Sequence, residues 1–438
     1  MVVMGLGRFG GGIGVTRWLA EQGAQVTVTD LAPAEKLAES LEQLKDLPVT
    51  MRLGGHDPGD LDDCDLLVVS PAVPKERSEF VQEAIARGIP LTSEMNLFIE
   101  RCPARRIIGV TGSAGKSTTT AMLGSVLEAA HQAGALGPVW VGGNIGQSLL
   151  ADLPRMRPDD LVVLELSSFQ LEDLASLPWS PGLSVITNIQ PNHLDRHIKM
   201  EAYIAAKLNI VRFQKRGDIV FVHRRDEELA RRVAELRAES RLERFAFDPL
   251  FARDLRVSGQ HNRDNAAAAV AVARTLGISD GIIAGGLSSF AGLPHRLEFV
   301  ACHKGVRYFN DSKSTTPESS CIALEAFEEP VVILVGGGDK GVSFEKLGRR
   351  LAARAKAVVC YGQTGRTLFQ EVSRHVRDAP AARVVLAEGF EDAVRQAAAS
   401  AEAGDVVVLS PACNSFDMFA NYEQRGERFR QLVRTALP

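Results

Sequence analysis

Arg106-Ile107-Ile108-Gly109-Val110-Thr111-Gly112-Ser113-Ala114-Gly115-Lys116-Ser117-Thr118 runs from a β-type apolar stretch, through a glycine-rich turn, into a helix-type stretch. Glycines let the backbone fold with its N–H groups turned inward, Lys116 adds a mobile positive charge, and the Ser117 hydroxyl is a Mg²⁺ ligand type. Gly112, Ser113, Ala114, Gly115, Lys116, Ser117 and Thr118 are therefore the expected phosphate-binding residues. The loop departs by one place from the strict G-x-x-x-x-G-K-[ST] spacing, because Val110 stands where the pattern has its first glycine. A strand that feeds such a loop and then a helix opens an α/β domain with a parallel sheet.

Outward from this loop, 438 residues are too many for one ordinary core and suggest about three domains. The expected divisions are 1–102, 103–292 and 293–438. The expected fold is α/β throughout: a Rossmann-like N-terminal parallel sheet, a central P-loop ATPase-like domain and a Rossmann-like C-terminal domain. Strands are predicted at Val2–Met4, Gln25–Thr29, Leu66–Val69, Arg106–Val110, Leu161–Leu164, Ser184–Thr187, Val331–Val335, Ala357–Cys360 and Val406–Leu409. An amphipathic helix from about Asn421 closes the chain, with Phe429, Leu432 and Val433 at core spacing. The first strand starts without a lead-in, so a missing or misassigned N-terminus is one reading.

A net charge of −4, a pI of about 6.2 and the lack of a long basic run recommend neither nucleic acid nor an anionic membrane as partner. The six cysteines are scattered without C-x-x-C spacing, which suits a reducing cytoplasm. Val2-Val3-Met4-Gly5 lacks the basic flank of a signal peptide, and no apolar run is long enough to span a bilayer.

Further polar loops follow the other strands. Gly5-Leu6-Gly7-Arg8-Phe9-Gly10 with Asp30 at the end of the next strand suits a diphosphate on a helix N-terminus, whether of a dinucleotide or of a UDP-sugar. Ser70-Pro71-Ala72-Val73-Pro74 leaves another strand end of that sheet, as ligand contact or as a simple turn. Glu165 ends an apolar strand and is placed as a Mg²⁺ ligand, with an ordinary strand-end hydrogen bond as the rival. His193 gains a functional reading from its position after a neighbouring strand, whereas His197 is read as structural. Lys207 on its own reads as a snorkelling lysine. Asn262 and Asn265, one helical turn apart, could read an adenine edge, with capping as the rival for Asn262. Near the C-terminus, Asn310–Thr316, Gly336–Gly341 and Ser410–Asp417 are polar loops on one expected sheet edge, suited to a small acid.

Taken in order, Thr111–Ser117, Gly143-Asn144-Ile145-Gly146, Glu165–Gln170, His193–His197 and the Asn262/Asn265 pair resemble the Mur ligase family over nearly the whole chain. Gly292–Glu298, Asn310–Lys313, Ser410–Asp417 and Glu423–Gly426 are similar to the member that adds D-glutamate to UDP-N-acetylmuramoyl-L-alanine. The Asp-Asn-Pro-Arg signature of the sister enzyme adding the third residue is absent.

The resemblance implies one domain each for the UDP-sugar, ATP and the amino acid. It also implies an acyl-phosphate mechanism in peptidoglycan precursor synthesis, and a cytoplasmic monomer. By motif, Lys116 holds the β- and γ-phosphates, and Ser117 with Glu165 binds one Mg²⁺. His193 binds a second, with Lys207 carbamylated as a further ligand. Asn262 and Asn265 contact adenine, and Arg296 and Asp311 help close the C-terminal domain over the nucleotide. Leu6, Arg8, Asp30, Ser70 and Asn144 line the UDP-sugar path, while Lys313, Thr315, Lys340, Ser415 and the Tyr422 backbone hold D-glutamate. Ser113, Ala114 and Asn192 depart from the family's usual Thr, Asn and Asp, and are expected to tune affinity for nucleotide and Mg²⁺.

Three other activities remain open at this point. A nicotinamide oxidoreductase explains the first glycine motif but not the second phosphate loop. Folylpolyglutamate synthase shares the central machinery but not the Ser410–Asp417 and Glu423–Gly426 segments. A non-catalytic nucleotide-binding protein would bind ATP without acceptor-dependent turnover.

Overall fold

Apolar strands alternating with helices favour a parallel sheet, because each helical crossover returns the chain to the same sheet end. In a computed structural model, the chain is described at all residues except 8, 9, 192, 193, 237, 258, 377–382 and 436–438; for 194 and 195 only the backbone is described. The first sheet contains β1 (Val2–Met4), β2 (Val26–Asp30), β3 (Val49–Leu53), β4 (Leu67–Val69) and β5 (Leu91–Thr92) in the order β3-β2-β1-β4-β5. All its pairings are parallel. The order reverses at β1, so the crevice outside the carboxyl ends of β1 and β4 is where such sheets bind ligands.

The second sheet contains β6 (Arg106–Thr111), β7 (Val139–Gly143), β8 (Leu161–Glu165), β9 (Leu183–Ile186), β10 (Ile219–His223) and β11 (Arg241–Phe245), ordered β11-β10-β9-β6-β8-β7. Every pair is again parallel. Leu161 to Leu164 are at most 1% exposed, which explains their unbroken apolar run: helices cover both faces of the strand. Because β6 lies between β8 and β9, the phosphate loop, Glu165 and the segment after Ile186 emerge side by side.

The third sheet contains β12 (Glu298–His303), β13 (Val306–Asn310), β14 (Val331–Gly336), β15 (Ala357–Tyr361), β16 (Arg383–Leu386) and β17 (Val406–Leu409), ordered β12-β13-β17-β14-β15-β16. Only the edge pair β12 and β13 is antiparallel among the described strands. Since β13, β17 and β14 are neighbours, the three polar loops expected on one edge do leave one edge. The closing helix is Tyr422–Thr435; Phe429 and Val433 are fully buried, and Leu432 packs against the same core.

Cα proximity divides the chain into two compact units: Met1–Ala252 with Asp264–Leu287, and Arg253–Arg263 with Ser288–Pro438. The strand expected at Ser184–Thr187 is Leu183–Ile186 instead; Thr187, just past its end, still donates its backbone N–H to the Thr111 carbonyl at 2.9 Å and its hydroxyl to the Ala114 carbonyl of the phosphate loop. Among the described residues, no helix is long and apolar enough to cross a membrane.

Candidate functional site

Gly115 takes a left-handed φ of 83° and caps the helix Lys116–Gln132. A Cβ there would meet Oδ1 of Asn265 at 2.4 Å, so glycine is required both by conformation and by space. Asn188 pins the next residue back: Ala114 N–H donates to its Oδ1 at 3.0 Å, and its Nδ2 donates to the Ala114 carbonyl at 2.9 Å. Ser113 Oγ lies 2.9 Å from Tyr203 Oη and accepts from the Gln190 N–H at 2.8 Å. The loop is thus preorganised by residues after β9. Lys116 Nζ donates to the carbonyls of Gly112 and Ser113, at 3.0 and 3.2 Å. Ser117 is 6% exposed in the first turn, while Thr118 is half-buried.

Lys207 does not snorkel. It is 1% exposed, donates to the Gly112 carbonyl at 2.7 Å and sits 4.7 Å from the Tyr203 ring centroid. Burial, reinforced by Lys116 and opposed by Glu165, lowers its pKa from 10.5 to about 7. Glu165 is 1% exposed at the end of β8, with Oε1 accepting from Asn144 Nδ2 at 3.0 Å. Its Oε2 is buried without a hydrogen-bond partner among the described residues. An orphaned carboxylate oxygen beside a phosphate loop fits a divalent cation, which supplies the charge that burial withholds. No cluster of three His, Cys, Asp or Glu forms a metal cage among the described residues.

Asn262 and Asn265 are 7% and 6% exposed on the helix Gln260–Thr275. Asn265 Oδ1 accepts from Thr119 Oγ1 at 3.2 Å, so it braces the start of the phosphate-loop helix. That contact adds a scaffolding role that the adenine reading did not include.

A cavity of about 470 Å³ opens at the carboxyl edge of the first sheet and brings together Leu6, Asp30, Ser70 and Asn144. Gly12 lets the first helix approach the glycine turn closely, because a Cβ there would lie 2.2 Å from the Leu6 carbonyl oxygen. Asp30 also organises the glycine turn: its Oδ2 accepts from the N–H groups of Leu6 and Gly7 at 2.9 and 3.3 Å. Phe169, Gln170 and the Glu94/Ser148 pair complete the wall, and these were not assigned from sequence. Arg8 and His193 lie outside the described residues. His197 is structural as expected, buried with Nε2 3.0 Å from Ser168 Oγ.

In the second unit, Asp311 is 4% exposed, and burial raises its carboxyl from 3.8 to about 6. It accepts from Ser410 Oγ at 2.8 Å and the Leu297 N–H at 3.2 Å. Arg296 adds a favourable charge to it, while its own Nε is buried without a hydrogen-bond partner among the described residues. Lys313 Nζ stands 5.5 Å over the Tyr422 ring, and Lys340 Nζ donates to the Thr315 carbonyl at 2.9 Å. Ser415 is 2% exposed. The Tyr422 carbonyl accepts from Ser312 Oγ at 2.8 Å, which commits half of its backbone to the fold. Arg425, unassigned from sequence, is fully buried and donates to the carbonyls of Ser312, Cys413 and Asn414, tying two of the polar loops together.

Three family models match: "Mur ligase MurD-like, N-terminal domain" over residues 1–93, "Mur ligase middle domain" over 110–250, and "Mur ligase, glutamate ligase domain" over 295–413. A protein from Roseiflexus sp. (strain RS-1), named UDP-N-acetylmuramoylalanine--D-glutamate ligase, is 40% identical across 99% of this chain and 97% of its own length. A namesake from Pelotomaculum thermopropionicum is 37% identical over the same shares. Among solved structures, the fold is similar to UDP-N-acetylmuramate-alanine ligase MurC from Thermotoga maritima, with a TM-score of 0.63, 20% identity and 99% of each chain covered. It is also similar to MurF ligase from Thermotoga maritima in complex with ADP, with a TM-score of 0.56 and 17% identity over 94% of this chain and 96% of that one. With models across all three sheets and relatives of this similarity along the full length, the chain belongs to the Mur ligase family.

Proposed function

We propose that this Mur ligase joins D-glutamate to UDP-N-acetylmuramoyl-L-alanine at the expense of ATP, as a cytoplasmic monomer in peptidoglycan precursor synthesis. The observation that carries the reading is the shared carboxyl edge of β9, β6 and β8, where a braced phosphate loop meets a buried carboxylate with one orphaned oxygen. Residues 1–102 take the UDP-sugar, 103–292 take ATP, and 293–438 take the amino acid. The cavity lined by Leu6, Asp30, Ser70 and Asn144 receives the sugar nucleotide, and Arg8, from the same sequence motif as Leu6, is assigned to the same ligand.

A carboxylate is a poor electrophile, so its oxygen first attacks the γ-phosphorus of ATP and ADP leaves. The amine of D-glutamate then attacks the acyl carbon, inorganic phosphate departs, and the amine loses a proton. Lys116 and the loop amides hold the β- and γ-phosphates as charge shifts toward the leaving ADP. Ser117 and Glu165 would hold one Mg²⁺, and His193 with carbamylated Lys207 a second; bound there, the ions would supply positive charge that offsets the repulsion between two anions. Asn262 and Asn265 lie at the adenine, and Arg296 and Asp311 act in closure over the nucleotide. Lys313, Thr315, Lys340, Ser415 and Tyr422 hold the incoming acid, its carboxylates suited to the two lysines.

Acceptor choice is tested by supplying D-glutamate, L-glutamate, L-alanine and a diamino acid separately with ATP and UDP-N-acetylmuramoyl-L-alanine. Amide product with D-glutamate alone supports the proposal; equal or better product with another amino acid contradicts it.

A further inference from the structure

Arg196 stands behind the sugar-nucleotide cavity and touches both of its walls. Its Nη1 and Nη2 donate to the carbonyls of Ala72 and Val73, at 2.9 and 2.8 Å, in the loop that follows β4. Its guanidinium lies 4.9 Å from the centroid of the Phe169 ring, on the helix Ser168–Leu174 that follows β8. Ala72 and Phe169 both line the cavity, one from the first sheet and one from the second. The same seam carries a Lys75–Asp173 ion pair and an Asn96 amide that donates to the Asp173 carbonyl at 3.0 Å. Those two contacts join the same elements away from the cavity, since neither Lys75 nor Asn96 lines it.

We propose that Arg196 is a positioning residue for the sugar nucleotide, fixing the spacing between the Ser70–Pro74 loop and Phe169 so that the cavity is formed before the ligand arrives. A planar fork suits the task, because it serves two consecutive carbonyls while lying against an aromatic face. A lysine supplies one point charge and cannot do both. The inference rests on the proposed sugar-nucleotide reading and names which side chain sets the width of that site.

The test is calorimetric titration of UDP-N-acetylmuramoyl-L-alanine into the wild type, Arg196→Ala and Arg196→Lys, with KM for ATP and a melting curve for each. Loss of the bridge is expected to weaken sugar-nucleotide affinity about tenfold in Arg196→Ala. Arg196→Lys should recover little of it, and KM for ATP should stay within about twofold. Unchanged affinity in both variants would overturn the inference while leaving the function intact, as would an equal loss of ATP affinity, which marks a merely structural residue. Failure of the wild type to bind the ligand would overturn the proposed function and this inference with it.

Discussion

Lys207 and Lys116 donate to one and the same carbonyl, that of Gly112, at 2.7 and 3.0 Å. Burial, reinforced by the charge of the neighbouring Lys116, lowers the Lys207 pKa to about 7. Carbamylation requires the neutral amine. The carbamate should therefore grow as pH rises through about 7, well below the range in which an ordinary lysine deprotonates. ¹³C-bicarbonate NMR of the wild type against Lys207→Ala checks this. Lys207→Ala should also cut turnover severely, and excess bicarbonate should not restore it; near-normal turnover or a carbamate that appears only near pH 10 would contradict the assignment.

Asn188 pairs with Ala114 through two hydrogen bonds that shape the phosphate loop. At about 1 kcal/mol net for each, Asn188→Ala should raise KM for ATP roughly thirtyfold. Steady-state kinetics with ATP varied checks this. An ATP KM within twofold of wild type would show that the loop keeps its shape without the clamp.

Asp311 makes stability depend on pH. Burial raises its folded pKa from 3.8 to about 6, so between those values the folded state binds the proton more tightly. Stability from this group is complete below about pH 4 and declines as pH rises through about 6, for a total on the order of 3 kcal/mol. Asp311→Asn keeps an amide in place of the carboxylate and should be the more stable protein at pH 7.5 but not at pH 4. Urea unfolding at both values decides it, and a difference independent of pH would contradict the expectation.

Ile198 is β-branched yet has a φ of 61°, with 68% of its surface exposed. A left-handed backbone at such a residue stores strain that no buried contact of its side chain offsets. Ile198→Gly should therefore stabilise the first unit by on the order of 1 kcal/mol, even after allowing for the extra freedom of glycine when unfolded. Equilibrium unfolding in urea measures it; a loss of stability would mean the isoleucine side chain has a partner that matters.

Much of the architecture was legible because parallel strands are buried on both faces and therefore read as unbroken apolar runs. Leu161–Leu164 and Val406–Leu409 are of that kind, and each is within a residue of its expected bounds. The glycine loops were legible because tight backbone turns around phosphate leave few alternatives to glycine. What sequence did not reveal depends on strand order. Asn188 reaches Ala114 because β9 pairs with β6, and Arg425 joins Ser312 to Cys413 because β13 and β17 are neighbours. Arg196 was quoted within a motif, but its grip on Ala72 and Val73 spans two sheets that no local spacing connects. Lys207 shows the same limit: its helical context read as solvated on local grounds, whereas tertiary packing buried it against the phosphate loop.

In the proposed reaction, use of ATP depends on both a sugar-nucleotide acid and an amino acid. Phosphate release from ATP with Mg²⁺ should be measured with UDP-N-acetylmuramoyl-L-alanine and D-glutamate supplied singly and together. Sustained release that requires both is the predicted result. Equal release with neither, or release that D-glutamate cannot support but another amino acid can, would contradict it.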